Sequence, residues 1–486
     1  MAKLLKSIKG NYLFWGIAFL LLFIPLYPKF PLWEVPETYV HIRLEDVFVA
    51  FIVGAFVLRL VVKRDFSLLK DSLSLLLALY FGIGLLSLLS ALFITKNIIP
   101  HLAFLHFLRR LEYISLLYVA YFSFKNLKQL KIYGWLSLVT TFLVIFYGLG
   151  QKFLGWPVVS TMNKEFSQGM ILKLTWWARI NSTFAGHYDL AAYLAMILPL
   201  AFAGIMIAKK KAAKALILLL AILAYYVLIL TASRISFVAY LLSVSFVLWF
   251  GKKRWWLIPF LAFSILGMVF SDDLGQRYAA TFKIDLSFLS GKIKLRPKIA
   301  SLPSPTPTLI TKETATPVPG KPTSTPTPTP TLTPTPVAAE SAYPEPESVS
   351  LATGRSTDIR LKVEWPRALR AFAKNPILGT GYSSITLATD NDYLRMLGEI
   401  GLLGSLALLA VFLEILRRFV VFLRKATLRR EERLIILGIM GASIGYFFNA
   451  SFIDVFEASK IAFFFWILIG VGLRVIDLSR AKKPNA

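Results

Sequence analysis

Runs of about twenty apolar residues, each long enough to cross a bilayer, alternate along this chain with short polar gaps. Every second gap holds a cluster of basic residues. The clusters are Lys3, Lys6 and Lys9; Lys63, Arg64 and Lys70; Lys125, Lys128 and Lys131; Lys209 to Lys211 with Lys214; Lys252 to Arg254; Arg417 to Arg433; and Arg474 with the tail. A chain built this way has few folds open to it. Inside a bilayer the backbone finds no water, so each spanning segment must close its own hydrogen bonds as a helix. Lysine and arginine gather on the cytosolic side of such helices. The pattern therefore predicts an all-α polytopic membrane protein of about twelve spans with both ends in the cytosol. The spans are expected near 12–28, 46–62, 73–94, 104–123, 132–150, 188–208, 214–231, 235–250, 255–270, 396–416, 434–454 and 460–476.

The charge balance supports a membrane setting. Lys and Arg number 54 against 27 Asp and Glu, a formal charge of +27 that would also suit nucleic acid. Their position beside apolar runs fits anionic lipid head groups instead, and no nucleic-acid partner is expected. The chain has no cysteine, so disulfides, thiolate metal sites and cysteine nucleophiles are excluded. The first apolar run, Tyr12 to Tyr27, lacks a clean small-residue cleavage site and reads as a retained first helix. No nucleotide-binding G-x-x-x-x-G-K-[ST] and no H-E-x-x-H is present, and neither a cofactor nor a metal is expected. The acidic pairs Glu45-Asp46 and Asp272-Asp273 read as helix-end or solvated pairs, with a divalent cation as the other reading.

On this topology the gaps 151–187, 231–235 and 271–395 face outward. The chain then divides into residues 1–270, holding helices one to nine with the outer loop 151–187; residues 271–395, a large extracytoplasmic loop between helices nine and ten; and residues 396–486, with helices ten to twelve and a cytosolic tail. Within the large loop, Pro303 to Pro346 repeats Pro-Thr, which cannot pack a core and favours an extended chain. Ile359 to Lys374 mixes apolar and basic residues and reads as an amphipathic helix on the membrane surface, beginning at or after Pro366. Pro376 to Ser384 is a turn-rich stretch leading into the next span.

The outward gaps carry the unusual polar residues. Arg234, in LTASRIS, sits in a turn between two apolar runs. It is either an arginine snorkelling to the interface or a planar fork for phosphate oxygens. Arg179 follows two tryptophans and precedes Asn181, Ser182, His187 and Asp189 at the head of a span. Interfacial polarity with a capping Asp189 is one reading; a phosphate or sugar contact is the other. In TDNDYLRMLGEIGLLG, residues 389–404, Asp390, Asn391, Asp392, Tyr393, Arg395 and Glu399 crowd the head of a span. Asp390 and Tyr393 are spaced to share a helical face. Carboxylates favour helix N-termini, yet Glu399 lies a turn or more inside apolar sequence, where a charge needs a reason. Arg109 and Arg110, with His101, His106 and Glu112, break the positive-inside pattern; an amphipathic approach or an outer cavity would account for them.

Together these pieces resemble the O-antigen ligase and polymerase superfamily of bacterial envelopes. FYGLGQKFLGWP (146–157) resembles the end of a span before an outer loop, and RINSTFAGHYDLAAYLAMILPL (179–200) the family's R-x-x-[SG]-T-F segment. LTASRISFVAYL (230–241) resembles its T-x-S-R turn. RLKVEWPRALRAFAKNPILGTGYSS (360–384) followed by DNDYLRMLGEIGLLG (390–404) resembles its arginine- and tryptophan-bearing helix, P-x-x-G-x-G turn and H-N-x-Y-L-x-x-x-x-E-x-G-x-x-G signature. The resemblance implies a metal-independent membrane glycosyltransferase in the cytoplasmic membrane, and direct displacement at the anomeric carbon would make it inverting. Such an enzyme moves a glycan from a polyprenyl-diphosphate carrier to a sugar, lipid or protein acceptor on the outer face. It implies Arg179, Arg234 and Arg360 as substrate-binding arginines, with Asn391, Tyr393 and Glu399 beside them. The signature histidine, implied to act on the acceptor hydroxyl, is Asp390 here, and His187 is the rival base. A flippase or transporter of lipid-linked glycans is the competing class, although no internal repeat of the kind common in transporters is visible.

Overall fold

A computed structural model describes residues 11–38, 40–64, 70–161, 166–175, 178–271, 274, 359–385, 388–425 and 428–481. Trp176, Trp177, the Asp272-Asp273 pair and the Pro-Thr segment fall outside the described residues. All described residues belong to one unit, Met1–Tyr278 with Leu351–Ala486.

The protein is mostly helical. In chain order the helices are α1 (Tyr12–Leu26), α2 (Leu44–Lys63), α3 (Ser72–Ser90), α4 (Pro100–Ser123), α5 (Leu127–Phe153), α6 (His187–Ile207), α7 (Lys211–Leu230), α8 (Arg234–Phe250), α9 (Leu257–Val269), α10 (Trp365–Lys374), α11 (Asp392–Leu423), α12 (Arg430–Ala450) and α13 (Ser459–Ala481). A two-stranded antiparallel hairpin, β1 (Pro157–Val159) with β2 (Ile171–Lys173), lies between α5 and α6. Each apolar segment expected from the sequence falls on a helix. Among the described residues, six helices are long and apolar enough to cross a membrane: α3 with the turn after it, α5, α6, α7, α12 and α13. Helices α1, α8 and α9 are apolar but shorter. Helices α2, α4 and α11 have the length but carry three or more charged residues each.

Two local readings change. The amphipathic helix begins before Pro366: a π-helical turn, Arg360–Glu364, runs directly into α10. The span expected at 396–416 is interrupted, because Gly401 has φ 67° and ψ −169° inside α11. The chain therefore runs as two helical pieces on either side of Gly401.

Helix α6 packs against α7, α8 and α12, α13 lies along α4, α11 along α3, and α1 along α5. Small residues let these backbones close up, as membrane helices require where burial of oil against oil offers little. A Cβ on Gly445 would meet the Ala195 carbonyl oxygen at 3.1 Å. Polar side chains collect at the two ends of the bundle. At one end Arg418 bonds Asp71 (2.7 Å) and Ser72 bonds Glu414 (2.8 Å). The other end gathers the starts of α2, α4, α6, α8, α11 and α13 with the ends of α1, α3 and α12, and it holds the residues singled out above.

Candidate functional site

The head of α11 is set by the turn before it. Breaking a helix frees carbonyls and amides that must find partners. The Pro376–Gly381 turn supplies them. Thr380 N donates to the Gly398 carbonyl (2.9 Å) and Gly381 N to that of Glu399 (2.8 Å), while Leu402 N donates to Pro376 O (2.8 Å) and Leu403 N to Ile377 O (3.2 Å). The two backbones nearly touch: a Cβ on Gly379 would come within 2.5 Å of the Glu399 carbonyl and Gly401 N. Gly379 (φ 73°) and Gly401 also need the left-handed backbone that only glycine adopts freely. The P-x-x-G-x-G turn and the E-x-G of the signature are thus two halves of one device. Their glycines hold a short helical piece, Asp392–Ile400, apart from the apolar run that follows.

Asp390 stands just before that piece with φ 50°, a conformation in which Asp, Asn and His are the side chains most often found. It lies outside the helix, so it does not share a helical face with Tyr393. Arg360 Nε and Nη2 both donate to Asp390 Oδ2, at 2.9 and 2.8 Å. Burial lifts the Asp390 pKa above the ordinary carboxylate value, against the pull of Arg360. Glu364, on the same π turn as Arg360, is pushed up to about 7 by burial and by Asp390. Its Oε2 is buried without a hydrogen-bond partner. The neighbours Asn391 and Tyr393 are engaged by the fold. Asn391 caps α11, its Oδ1 accepting from Leu394 N (3.0 Å), and Tyr393 donates its hydroxyl to Phe447 O (2.9 Å).

Beneath this mouth lies a buried ionic network. Arg395 donates to Glu399 Oε1 (3.2 Å), Asp454 Oδ2 (3.3 Å) and the Ile385 carbonyl (3.2 Å), and its Nε is 3.6 Å from Glu457. Arg110 pairs with Glu457 and donates to Phe456 O. Burial works against ionisation of Glu457, yet Arg110 and Arg395 hold its pKa down at about 2. Asp454 also accepts from Thr389 N (2.9 Å), and Asp392 from Phe456 N (2.9 Å). Glu399, only 2% exposed, therefore serves Arg395 below the mouth and does not line it.

The connection between α12 and α13 joins this network to the second arginine stretch. Lys460 Nζ donates to the carbonyls of Pro25 (3.2 Å), Tyr27 (2.6 Å) and Thr183 (2.8 Å). Beside it, Lys29 pairs with Glu45 Oε1 (3.1 Å) and Ser459 donates to the same oxygen (3.0 Å), while Glu45 Oε2 is buried without a hydrogen-bond partner. Asp46 accepts from Arg43 N (2.9 Å). In the R-x-x-S-T-F segment, Ser182 (φ 50°) donates to Val144 O (2.7 Å) and Thr183 to Pro25 O (2.5 Å), which fixes the loop before α6. Gly186, not Asp189, is the N-cap of α6. Arg179 Nη1 lies 3.0 Å from His187 Nε2. A guanidinium can only donate, so His187 Nε2 accepts, and the lone pair a base would use there is occupied.

The T-x-S-R turn is tied to α12. Ser233 caps α8 and bonds Ser236 (3.0 Å), which donates to Asn449 Oδ1 (2.7 Å), with Ala232 at φ 50°. Arg234 is the first residue of α8, half-buried, at the same end of α12 that receives Tyr393. The structure thus brings Arg360 to Asp390 and Arg179 to His187. Sequence reasoning missed Glu364, Asp454, Glu457 and Lys460. For the last three the available signal was a charge-bearing stretch, IDVFEASK, between two apolar runs.

A bundle of apolar helices with a charge network and a broken helix at one end fits an integral membrane protein with a polar site. The family model described as O-antigen ligase matches residues 218–409, a segment that holds Arg234, Arg360, Asp390, Asn391, Tyr393 and Glu399. That match makes this segment similar to the O-antigen ligase/polymerase superfamily and supports, in general terms, a membrane glycosyltransferase of the O-antigen ligase kind. Arg179 and His187 lie before the matched segment. The search of curated proteins returned no match.

Proposed function

We propose that the protein transfers a glycan from a polyprenyl-diphosphate carrier to a sugar, lipid or protein hydroxyl on the outer face of the bacterial cytoplasmic membrane, with both termini cytosolic. One observation carries the reading: within the family-matched segment, the residue at the signature histidine position is a carboxylate gripped by arginine at the head of a broken helix. In this reading Arg179 and Arg234 hold the diphosphate, whose charge grows as the glycosidic bond breaks; preorganised cations at a partly dry surface stabilise it, and the mechanism needs no metal. Arg360 orients Asp390. The acceptor hydroxyl oxygen bonds to the anomeric carbon, the diphosphate oxygen leaves with its electron pair, and the hydroxyl proton passes to Asp390. Direct displacement inverts the anomeric centre.

Asp390 is preferred over His187 as base because Arg179 already occupies His187 Nε2. Asn391, Tyr393 and Glu399 then act through the helix head, as cap, tether and support for Arg395. The test is transfer by purified protein in liposomes loaded with lipid-diphosphate-linked glycan. Asp390→Asn should lower turnover by about 10²-fold, the usual loss with a general base, while Asp390→His retains activity and His187→Ala has a milder effect. Both replacements suit the left-handed backbone at this position. The reverse order, His187→Ala inactive and Asp390→Asn near normal, would move the base to His187.

A further inference from the structure

Helices α2 and α4 touch, with Arg109 paired to Asp46 at 3.4 Å, yet they leave a groove along their contact. Between them runs a cavity of about 600 Å³ lined on one side by Asp46, Val47, Ala50, Val53, Gly54 and Val57 and on the other by residues from Leu102 to Ser115. The α2 residues repeat at helical spacing, so one face of that helix forms the wall. From Asp46 to Val57 the groove descends roughly 16 Å at 1.5 Å per residue. Gly54 forms an open stretch of this wall: a Cβ there would meet nothing within 4 Å.

The groove changes character at its mouth. Val35 and Thr38 also line a second cavity of about 300 Å³, whose other walls include Glu34, Glu37, His41 and Gln168. An apolar slot thus adjoins a small polar chamber. Two buried polar atoms in these linings have no partner: His41 Nδ1, in a residue 7% exposed, and Asp46 Oδ1, in a residue 9% exposed. Glu112 Oε1, farther along the groove, is a third. Arg109 in the same lining already pairs with Asp46 at 3.4 Å. The unused groups are mainly hydrogen-bond acceptors, and the carboxylates outnumber the cation. A diphosphate or other anionic head would be repelled; a head rich in hydroxyl donors would be bound.

We propose that this groove and chamber form a binding site for an uncharged glycolipid, its apolar chain between α2 and α4 and its sugar hydroxyls against Glu34, Glu37, His41 and Asp46. Neither cavity is lined by Arg360, Glu364 or Asp390, although His106 of the groove lies 4.0 Å from Glu457 of the ionic network. The binding claim does not depend on the transfer reading.

The probe is a glucosyl diacylglycerol with a diazirine in its acyl chain, photolysed in nanodiscs holding the full-length protein, with labelled peptides read by mass spectrometry. Phosphatidylglycerol and phosphatidylethanolamine bearing the same chain are the comparisons. The glycolipid should label peptides covering 42–57 and 102–115 about 10-fold more than either phospholipid, the discrimination worth roughly one well-formed polar contact. Gly54→Leu, whose Cβ meets nothing within 4 Å and whose longer side chain projects into the slot, should abolish that labelling with no loss of thermal stability. Glu34→Gln with Glu37→Gln, both in the chamber lining, should erase the head-group preference while chain labelling persists. Equal labelling by phosphatidylglycerol or phosphatidylethanolamine, labelling unchanged in Gly54→Leu, or a preference unchanged in the double variant would overturn the proposal.

Discussion

Replacing Arg395 with Met should cost stability in a way that depends on pH. Its guanidinium is 9% exposed and faces Glu399, Asp454 and Glu457 within 3.6 Å. Removing it leaves three carboxylates with Arg110 as the nearest buried cation, and breaking a buried pair from one side costs ~3–5 kcal/mol. The depression of Glu457 from 4.5 to about 2 gives a second route to the figure. It corresponds to ~3 kcal/mol, shared between Arg110 and Arg395, to which the orphaned Glu399 and Asp454 add. A net loss of ~3 kcal/mol follows, near the lower end of the range. The sign is definite. A depressed carboxylate stabilises the fold above its unfolded pKa and loses that effect as pH falls through the folded one. The parent therefore weakens between pH 4.5 and about 2, and the gap between parent and variant is widest at neutral pH and narrows on acidification. Thermal unfolding in nanodiscs at a fixed scan rate reads it; the midpoint at pH 7 should fall by about 3 °C, with Arg395→Lys intermediate. A midpoint within about 1 °C of the parent, or a gap that does not depend on pH, would refute the network's role.

Arg234→Lys keeps the charge but loses the planar fork, so transfer should fall by about 10-fold, and Arg234→Ala or Arg179→Ala by about 10²-fold; parental rates in both alanine variants would remove the diphosphate clamp. Glu364, with a folded pKa of about 7 against 4.5, favours the fold below pH 4.5 and loses that contribution as pH rises through 7. Facing Asp390, Asp454, Arg360 and Arg367, it should make Glu364→Gln more stable than the parent above pH 7, by ~1 kcal/mol after allowing for its partial exposure. An unchanged slope of stability between pH 4.5 and 7 would count against this. Accessible tags at 66–70, 126–131, 252–254 and 425–430 should be cytosolic, and those at 160–175 and 310–340 external. A Pro-Thr segment shielded from external protease in whole cells would invert the topology.

The sequence by itself determined the helices. An apolar run of about twenty residues has one inexpensive way to satisfy its backbone in lipid, so each expected segment is a helix, and local charge marks its ends. It also marked Arg234, Arg179 and Asp390, because a charged side chain beside apolar sequence is costly enough to stand out. The tertiary structure decided what those residues meet. Asp390 meets Arg360 across thirty positions of sequence, and Arg395 meets Asp454 and Glu457 across 59 and 62 positions. Ion pairing is long-ranged in sequence and leaves no periodic trace. The break at Gly401 was equally hidden. An E-x-G within an apolar run reads as continuous helix until the Pro376–Gly381 turn is seen bonding to the carbonyls it frees. Local sequence sets which backbone conformations are inexpensive; only packing decides which buried polar atoms find partners.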